Sequence, residues 1–186
     1  MATEMEAAGL IAVSIQIKEL DCLHTVYTNL KFNLLIMGMG KRNAAQATHW
    51  AISQGAIHFI NAGVCGSLND ELELFQICYP SIIKDLDLIS LSSKEFICNN
   101  QEKWAIGSID QPLHGGQNRV KYQQHVDLVD MESFGVASAL SEPRENLKLI
   151  KCISDLCQIG GSAEIKKNLP KASGLLREAI YQSLKG

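Results

Sequence analysis

Several features that would assign a chain to a class are missing from this one. No apolar run approaches the roughly 18 residues that a membrane-spanning helix needs. The opening residues, Met1-Ala2-Thr3-Glu4, offer neither a basic stretch nor an apolar one, which argues against a secretory signal. A cytoplasmic protein is the expectation. Charge of one sign is not in excess: the net charge is −3 and the pI about 5.9. Lysine and arginine are scattered, so nothing points to a nucleic acid or a membrane surface as partner. No two cysteines stand at CxxC spacing, and the five histidines form neither HxxxH nor HExxH, so no metal site is expected. Internal repeats, low-complexity tracts and linkers are also absent.

What remains is material for one folded domain spanning residues 1–186. The chain is 46% hydrophobic and 20% charged, enough to build a sizeable core. The six cysteines (Cys22, Cys65, Cys78, Cys98, Cys152, Cys157) lie mostly within apolar runs, where a free thiol acts as a small buried hydrophobe. An amphipathic segment at 2–10 precedes the run Ile11-Ala12-Val13-Ser14-Ile15-Gln16-Ile17. Residues 23–28 and 32–37 form a pair of strands joined at Asn29-Leu30-Lys31. Gly38-Met39-Gly40 breaks the chain, and Ala44, Ala47, Trp50 and Ala51 follow at helical spacing with Gly55 as the stop. A buried strand at 57–61 runs into a glycine-bearing end, Ala62-Gly63-Val64-Cys65-Gly66. Several strands fill 70–112, with Pro80 and Pro112 at edges or turns. The order then continues as strand (126–129), helix (131–140), strand (147–154) and helix (about 170–184). This alternation predicts an α/β fold, a three-layer α/β/α domain around a central mixed sheet.

Two strand ends carry acids: Val129-Asp130-Met131-Glu132-Ser133 and Ile153-Ser154-Asp155. In open α/β sheets ligands sit outside the carboxyl ends of strands, so two acids delivered there suggest one polar pocket. Each residue also has a plain reading. Asp155 is a possible helix cap, Glu132 suits the first turn of a helix through the dipole, and Glu6 is by default on the surface. Asp110 and His114 flank Pro112 as loop residues. The Gly38–Gly40 break lacks the third glycine of a dinucleotide loop, Asn43 standing there, and has no GK[ST]. Its glycines either let backbone approach a small ligand or form a tight strand–helix turn.

Five pieces occur together: Thr3-Glu4-Met5-Glu6, Gly38-Met39-Gly40-Lys41-Arg42-Asn43-Ala44-Ala45, Ile60-Asn61-Ala62-Gly63-Val64-Cys65-Gly66-Ser67-Leu68, and the two acid-bearing segments. In this order they resemble the nucleoside phosphorylase/nucleosidase superfamily, closest to methylthioadenosine/S-adenosylhomocysteine nucleosidase-like proteins, in a short form abbreviated at its N-terminus. The resemblance is strongest over 37–68 and 126–156. It implies a nucleoside phosphorylase-like fold, a small purine nucleoside as partner, no cofactor, and a homodimer or larger assembly. By position, Asp155 matches the acid that protonates the purine and Glu6 the carboxylate that activates water. Glu132 matches the acceptor of ribose hydroxyls and Met131 the residue packed on the sugar. Asp130, Ser154, Met39, Val64 and Leu113 complete the implied substrate-binding set.

The resemblance also bears on the choice between water and phosphate. A phosphorylase would carry Arg at Asn61 and Ser at Val64; here a phosphate would meet carboxylates and a methyl group, so hydrolysis is favoured. The nucleosidases keep that Ser too. Their aromatic stacking residue falls at about Pro112-Leu113, leaving His114, Tyr122 or Phe134 to supply an aromatic face.

Overall fold

The computed structural model describes residues 1–11, 15–20, 24–29, 31–88, 95–100, 102–113, 116–141, 145–158 and 161–185. Its spine is a pair of long neighbouring strands, β4 (Phe59–Ser67) and β10 (Leu147–Asp155), which run parallel in a register from Leu147 beside Phe59 to Asp155 beside Gly66. Alternation along β10 divides the core. Leu147, Leu149 and Ile153 face one hydrophobic cluster, which includes Ala44, Ala47, Val136 and Ala137 from α2 (Lys41–Ser53) and α4 (Ser133–Ala139). Ile150 and Cys152 face the other, with Ala7 and Leu10 of α1 (Glu4–Ile11) and Ala172, Leu176 and Ile180 of α5 (Gly161–Ser183). Helices therefore cover both faces, and the expected three layers are present.

The sheet is not one continuous surface. Seven strands lie in the order β5-β10-β4-β9-β8-β6-β7, adding β5 (Ile77–Cys78), β6 (Pro80–Asp85), β7 (Glu95–Ile97), β8 (Glu102–Ser108) and β9 (Leu128–Asp130). A separate antiparallel sheet holds β1 (Ile15–Leu20), β2 (His24–Thr28) and β3 (Asn33–Ile36). The β2–β3 pair is the one expected across residues 29–31. A short helix, α3 (Gly116–Tyr122), precedes β9.

Three expectations need correction. The strand expected to end near Asn61 continues to Ser67, with both glycines inside it. A Cβ on Gly63 would lie 3.2 Å from the Glu6 carboxylate, and one on Gly66 only 2.3 Å from Cys157 Sγ, so these glycines serve close approach rather than a turn. The C-terminal helix starts at Gly161 and contains Pro170, which is exposed and simply lacks a donor within it. Pro80 begins a strand that is paired on both sides, not an edge strand; the first position is where proline is tolerated in a sheet. The five described cysteines are free and buried; Cys22 lies outside the described residues.

Candidate active site

The acids converge by a route different from a shared carboxyl edge. β9 runs antiparallel to β4 whereas β10 runs parallel to it. Both strands nonetheless end beside the same stretch: Asp155 and Val129 are each in register with Gly66, from opposite sides of β4. A register slip between Ile153 and Asp155 accompanies the meeting.

Asp155 is buried, and its Oδ2 accepts the N–H of Cys157 at 3.0 Å. The Ser154 hydroxyl donates to Asp155 Oδ1 at 3.2 Å and to the Cys65 carbonyl at 3.3 Å. Arg119 of α3 donates to the carbonyls of Ser67 and Leu156, the residues following the register position at each strand end, and pairs with Asp70.

Glu6 is buried, not on the surface. The Thr3 hydroxyl accepts the Glu6 N–H at 3.3 Å, while Glu6 Oε2 accepts the Thr3 N–H at 2.9 Å. This reciprocal capping box fixes the start of α1. The other oxygen, Oε1, accepts the Val64 N–H at 3.1 Å and so ties α1 to β4. The glycine loop approaches Glu132 in the same way: Gly38 and Gly40 have φ of 75° and 98°, and the Gly40 N–H donates to Glu132 Oε1 at 2.9 Å. Glu132 occupies the N-cap position of α4 rather than its first turn. Burial, with Asp130 beside it, pushes its pKa up to about 7.

Asp130 serves the frame. Its carboxylate pairs with Lys151 Nζ at 2.8 Å, accepts from the Ser108 hydroxyl at 2.6 Å, and receives the Ser133 hydroxyl and N–H. Burial alone would raise its pKa, but Lys151 and these hydroxyls hold it below the usual carboxylate range. Lys151 was not expected from the sequence reading. It is 1% exposed on the core-facing side of β10 and also donates to Asn61 Oδ1 at 2.7 Å. Burial works against its charge, yet Asp130 and then Glu132 hold its pKa above the ordinary value. The available signal was weak: the apolar run 147–153 holds two lysines, Lys148 and Lys151, and a lysine that is buried there needs a partner. The Met1 ammonium joins the same group: burial lowers its pKa to about 6, while Glu6 and Glu132 oppose that fall.

The remaining expected residues spread around this centre. Met131 is half-buried and Met39, on the glycine loop, is 62% exposed. Leu113 packs against the cluster holding Val129 and Cys157. Of the suggested aromatic faces, Phe134 stacks on Phe96 with centroids 5.0 Å apart, and Tyr122 is buried in the core. His114 lies outside the described residues. Beside the loop, Lys41 Nζ bonds Asp85 and Asp87, each at 2.6 Å, a cluster the sequence did not announce. Among the described residues no group of three His, Cys, Asp or Glu side chains is arranged to hold a metal.

The phosphorylase superfamily model matches residues 21–96, which includes the glycine loop and β4 but stops before the two acid-bearing segments. No curated protein matches by sequence. Solved structures do. A methylthioadenosine/S-adenosylhomocysteine nucleosidase from Colwellia psychrerythraea, in complex with adenine, superimposes with a TM-score of 0.86 at 17% identity, covering 99% of this chain and 92% of that one. The corresponding nucleosidase from Neisseria meningitidis, bound to methylthio-immucillin-A, gives 0.83 at 19%, covering 96% and 94%. Futalosine hydrolase from Helicobacter pylori gives 0.81 at 16%, covering 98% and 94%. The chain has the fold of these nucleosidases.

Proposed function

We propose that the chain is a purine nucleosidase that hydrolyses the N-glycosidic bond of an adenosine-type nucleoside, in the manner of methylthioadenosine or adenosylhomocysteine. The observation that carries this reading is the placing of Glu6 and Asp155 along one strand. Glu6 accepts the Val64 N–H and Asp155 stands in register with Gly66, so both carboxylates are held at the C-terminal part of β4. In our reading a nucleoside lies there, with its sugar at Glu6 and its base at Asp155.

In this reading Asp155 gives a proton to the purine as the C1′–N9 bond breaks and its electron pair leaves with the base. Water held by Glu6 adds at C1′, its proton passing to that carboxylate. Charge build-up is thus relieved at both ends, each general acid or base contributing about 10²–10⁴ in rate. Glu132 accepts ribose hydroxyls and Met131 packs on the sugar. Met39, Val64 and Leu113 line the substrate. Ser154 orients the Asp155 carboxyl, and Asp130 acts through Lys151. The reaction calls for no cofactor.

Water is preferred to phosphate because the Val64 N–H, a donor a phosphate would use, is taken by Glu6. Asn61 is likewise held, its Oδ1 accepting from Lys151 and from the Ser133 hydroxyl. A desolvated dianion beside Glu6 and Glu132 would lack cationic donors of its own. The assembly we propose is a homodimer, and light scattering on the purified chain measures it. Replacing Glu6 with Gln tests the site: turnover should fall at least about 100-fold with the substrate still bound. Wild-type turnover in that variant would end the assignment.

A further inference from the structure

We propose that Cys157 is a positioning residue for the proton of Asp155: its main-chain N–H and its thiol both donate to Asp155 Oδ2, which leaves Oδ1 as the oxygen that carries the proton given to the base. This rests on the nucleosidase reading, because the acid is the one assigned there.

The geometry begins at Gly66. A Cβ on this glycine would press into Cys157 Sγ and lie 3.2 Å from Asp155 Oδ2, so the thiol and that carboxyl oxygen border the same spot. Glycine leaves the spot to the sulfur. The main chain delivers Cys157 there two residues after the acid, with its N–H donating to Oδ2 at 3.0 Å. The φ of Cys157 is 50°, in the left-handed region that a residue with a Cβ seldom takes. Such a conformation persists where its surroundings hold it, and it concentrates at functional sites. Here Arg119 of α3 supplies the hold, bonding the carbonyls of Ser67 and of Leu156, the residue just before Cys157. Cys157 also packs in the cluster of Leu68 and Val129. The turn thus aims both donors of one residue at one oxygen.

The thiol donates only while it keeps its proton. Burial pushes the Cys157 thiol well up, and the charge of Asp155 and the hydrogen bond to it push the same way. Arg119 opposes this rise and Glu164 of α5 adds to it. Arg119 is itself paired with Asp70. At neutral pH the group is therefore S–H, and it is 3% exposed.

The two oxygens of Asp155 are consequently unlike. Oδ2 receives both donors of Cys157. Oδ1 meets the Ser154 hydroxyl at 3.2 Å, and a hydroxyl accepts as well as donates. A proton on Oδ2 would face two other hydrogens, so it sits on Oδ1. In the reaction the Oδ1–H bond breaks, an N–H bond forms on the purine, and the electron pair of C1′–N9 leaves with the base. The carboxylate left behind keeps both Cys157 donors on Oδ2, and hydrogen bonds to the charged form favour it.

Nuclear magnetic resonance on chain isotope-labelled at the aspartate carboxyl carbons tests the inference without substrate. The Asp155 signal is the one lost in Asp155→Asn. Cys157→Ala removes the thiol and should move the Asp155 titration midpoint up by at least about 0.5 pH unit, since the charged form loses a donor. Cys157→Ser, a stronger donor, should leave the midpoint at or below the wild-type value. Cys157→Gly suits the left-handed backbone and lacks the same thiol, so it should raise the midpoint as Ala does and stands in for a chain that Ala prevents from folding. The high-pH limb of kcat/KM for base release should follow the same order. Midpoints that do not move, or that rise equally in the Ser and Ala chains, overturn the inference, because a residue that merely fills space acts that way. A wild-type chain that releases no base overturns the nucleosidase reading instead, while the order of the midpoints still decides the pairing of Cys157 with Asp155.

Discussion

Replacing Glu132 with Gln should stabilise the protein in a way that grows with pH. In the folded chain the Glu132 carboxyl has its pKa moved from 4.5 to about 7, first by burial and then by Asp130. A carboxyl with a raised folded pKa favours the folded state in its protonated form. The folded chain binds more protons than the unfolded one between these two values, so stability falls as pH rises through that window. At about 1.4 kcal/mol per pH unit the loss approaches 3 kcal/mol once pH exceeds 7. Glutamine keeps an oxygen for the Gly40 N–H, 2.9 Å from Glu132 Oε1, and has no proton to lose. The Met1 ammonium works in the opposite sense, its pKa falling from 8.0 to about 6, and stability gained from it rises with pH over that range. The comparison of variant with wild type largely removes this second contribution. Urea unfolding at pH 5, 6, 7 and 8 should show the Gln variant gaining about 3 kcal/mol on wild type across the series. A difference that stays flat with pH would refute the placing of Glu132 in a buried, anionic setting.

Lys151→Met should destabilise the fold by about 3–5 kcal/mol, because it leaves Asp130 buried without its counter-charge; adding Asp130→Asn should recover part of the loss in the same unfolding assay. Gly66→Ala puts a Cβ 2.3 Å from Cys157 Sγ and should cost about 1–3 kcal/mol. Combining it with Cys157→Ala should relieve most of that cost, and strict additivity would contradict the contact. Asp155→Asn should reduce base release by at least about 100-fold and abolish the limb of the pH–rate profile that reports a protonated acid; an unchanged profile would remove Asp155 from its role.

Where local chemistry decides structure, the sequence was readable. The helical spacing of Ala44, Ala47 and Trp50 with Gly55 beyond it corresponds to α2, and Gly55 takes the left-handed φ of 86° that a helix stop requires. β2 and β3 pair because alternation and a polar turn suffice to make a hairpin. The role of Gly63 and Gly66 could not be read locally, because a glycine that admits a neighbouring carboxylate or thiol looks the same as one that turns the chain. Pro170 invited a late helix start, although the residues before it are helical too. Within the site, Thr3-x-x-Glu6, a capping-box pattern, could have placed Glu6 at a helix start, though not its burial. The reach of Glu6 to Val64 and the meeting of Lys151 with Asp130 and Asn61 are long-range, set by how β4, β9 and β10 line up. The strand directions themselves, with β9 reversed against β4, had no local signal at all.

The most direct test of the nucleosidase reading is base release from a panel of purine nucleosides, followed by chromatography with and without phosphate. Methylthioadenosine, adenosylhomocysteine, deoxyadenosine, inosine and futalosine make up the panel. Free base from an adenosine-type nucleoside in phosphate-free buffer is the predicted result. Release that depends strictly on phosphate, or no release from any of the five, would contradict it.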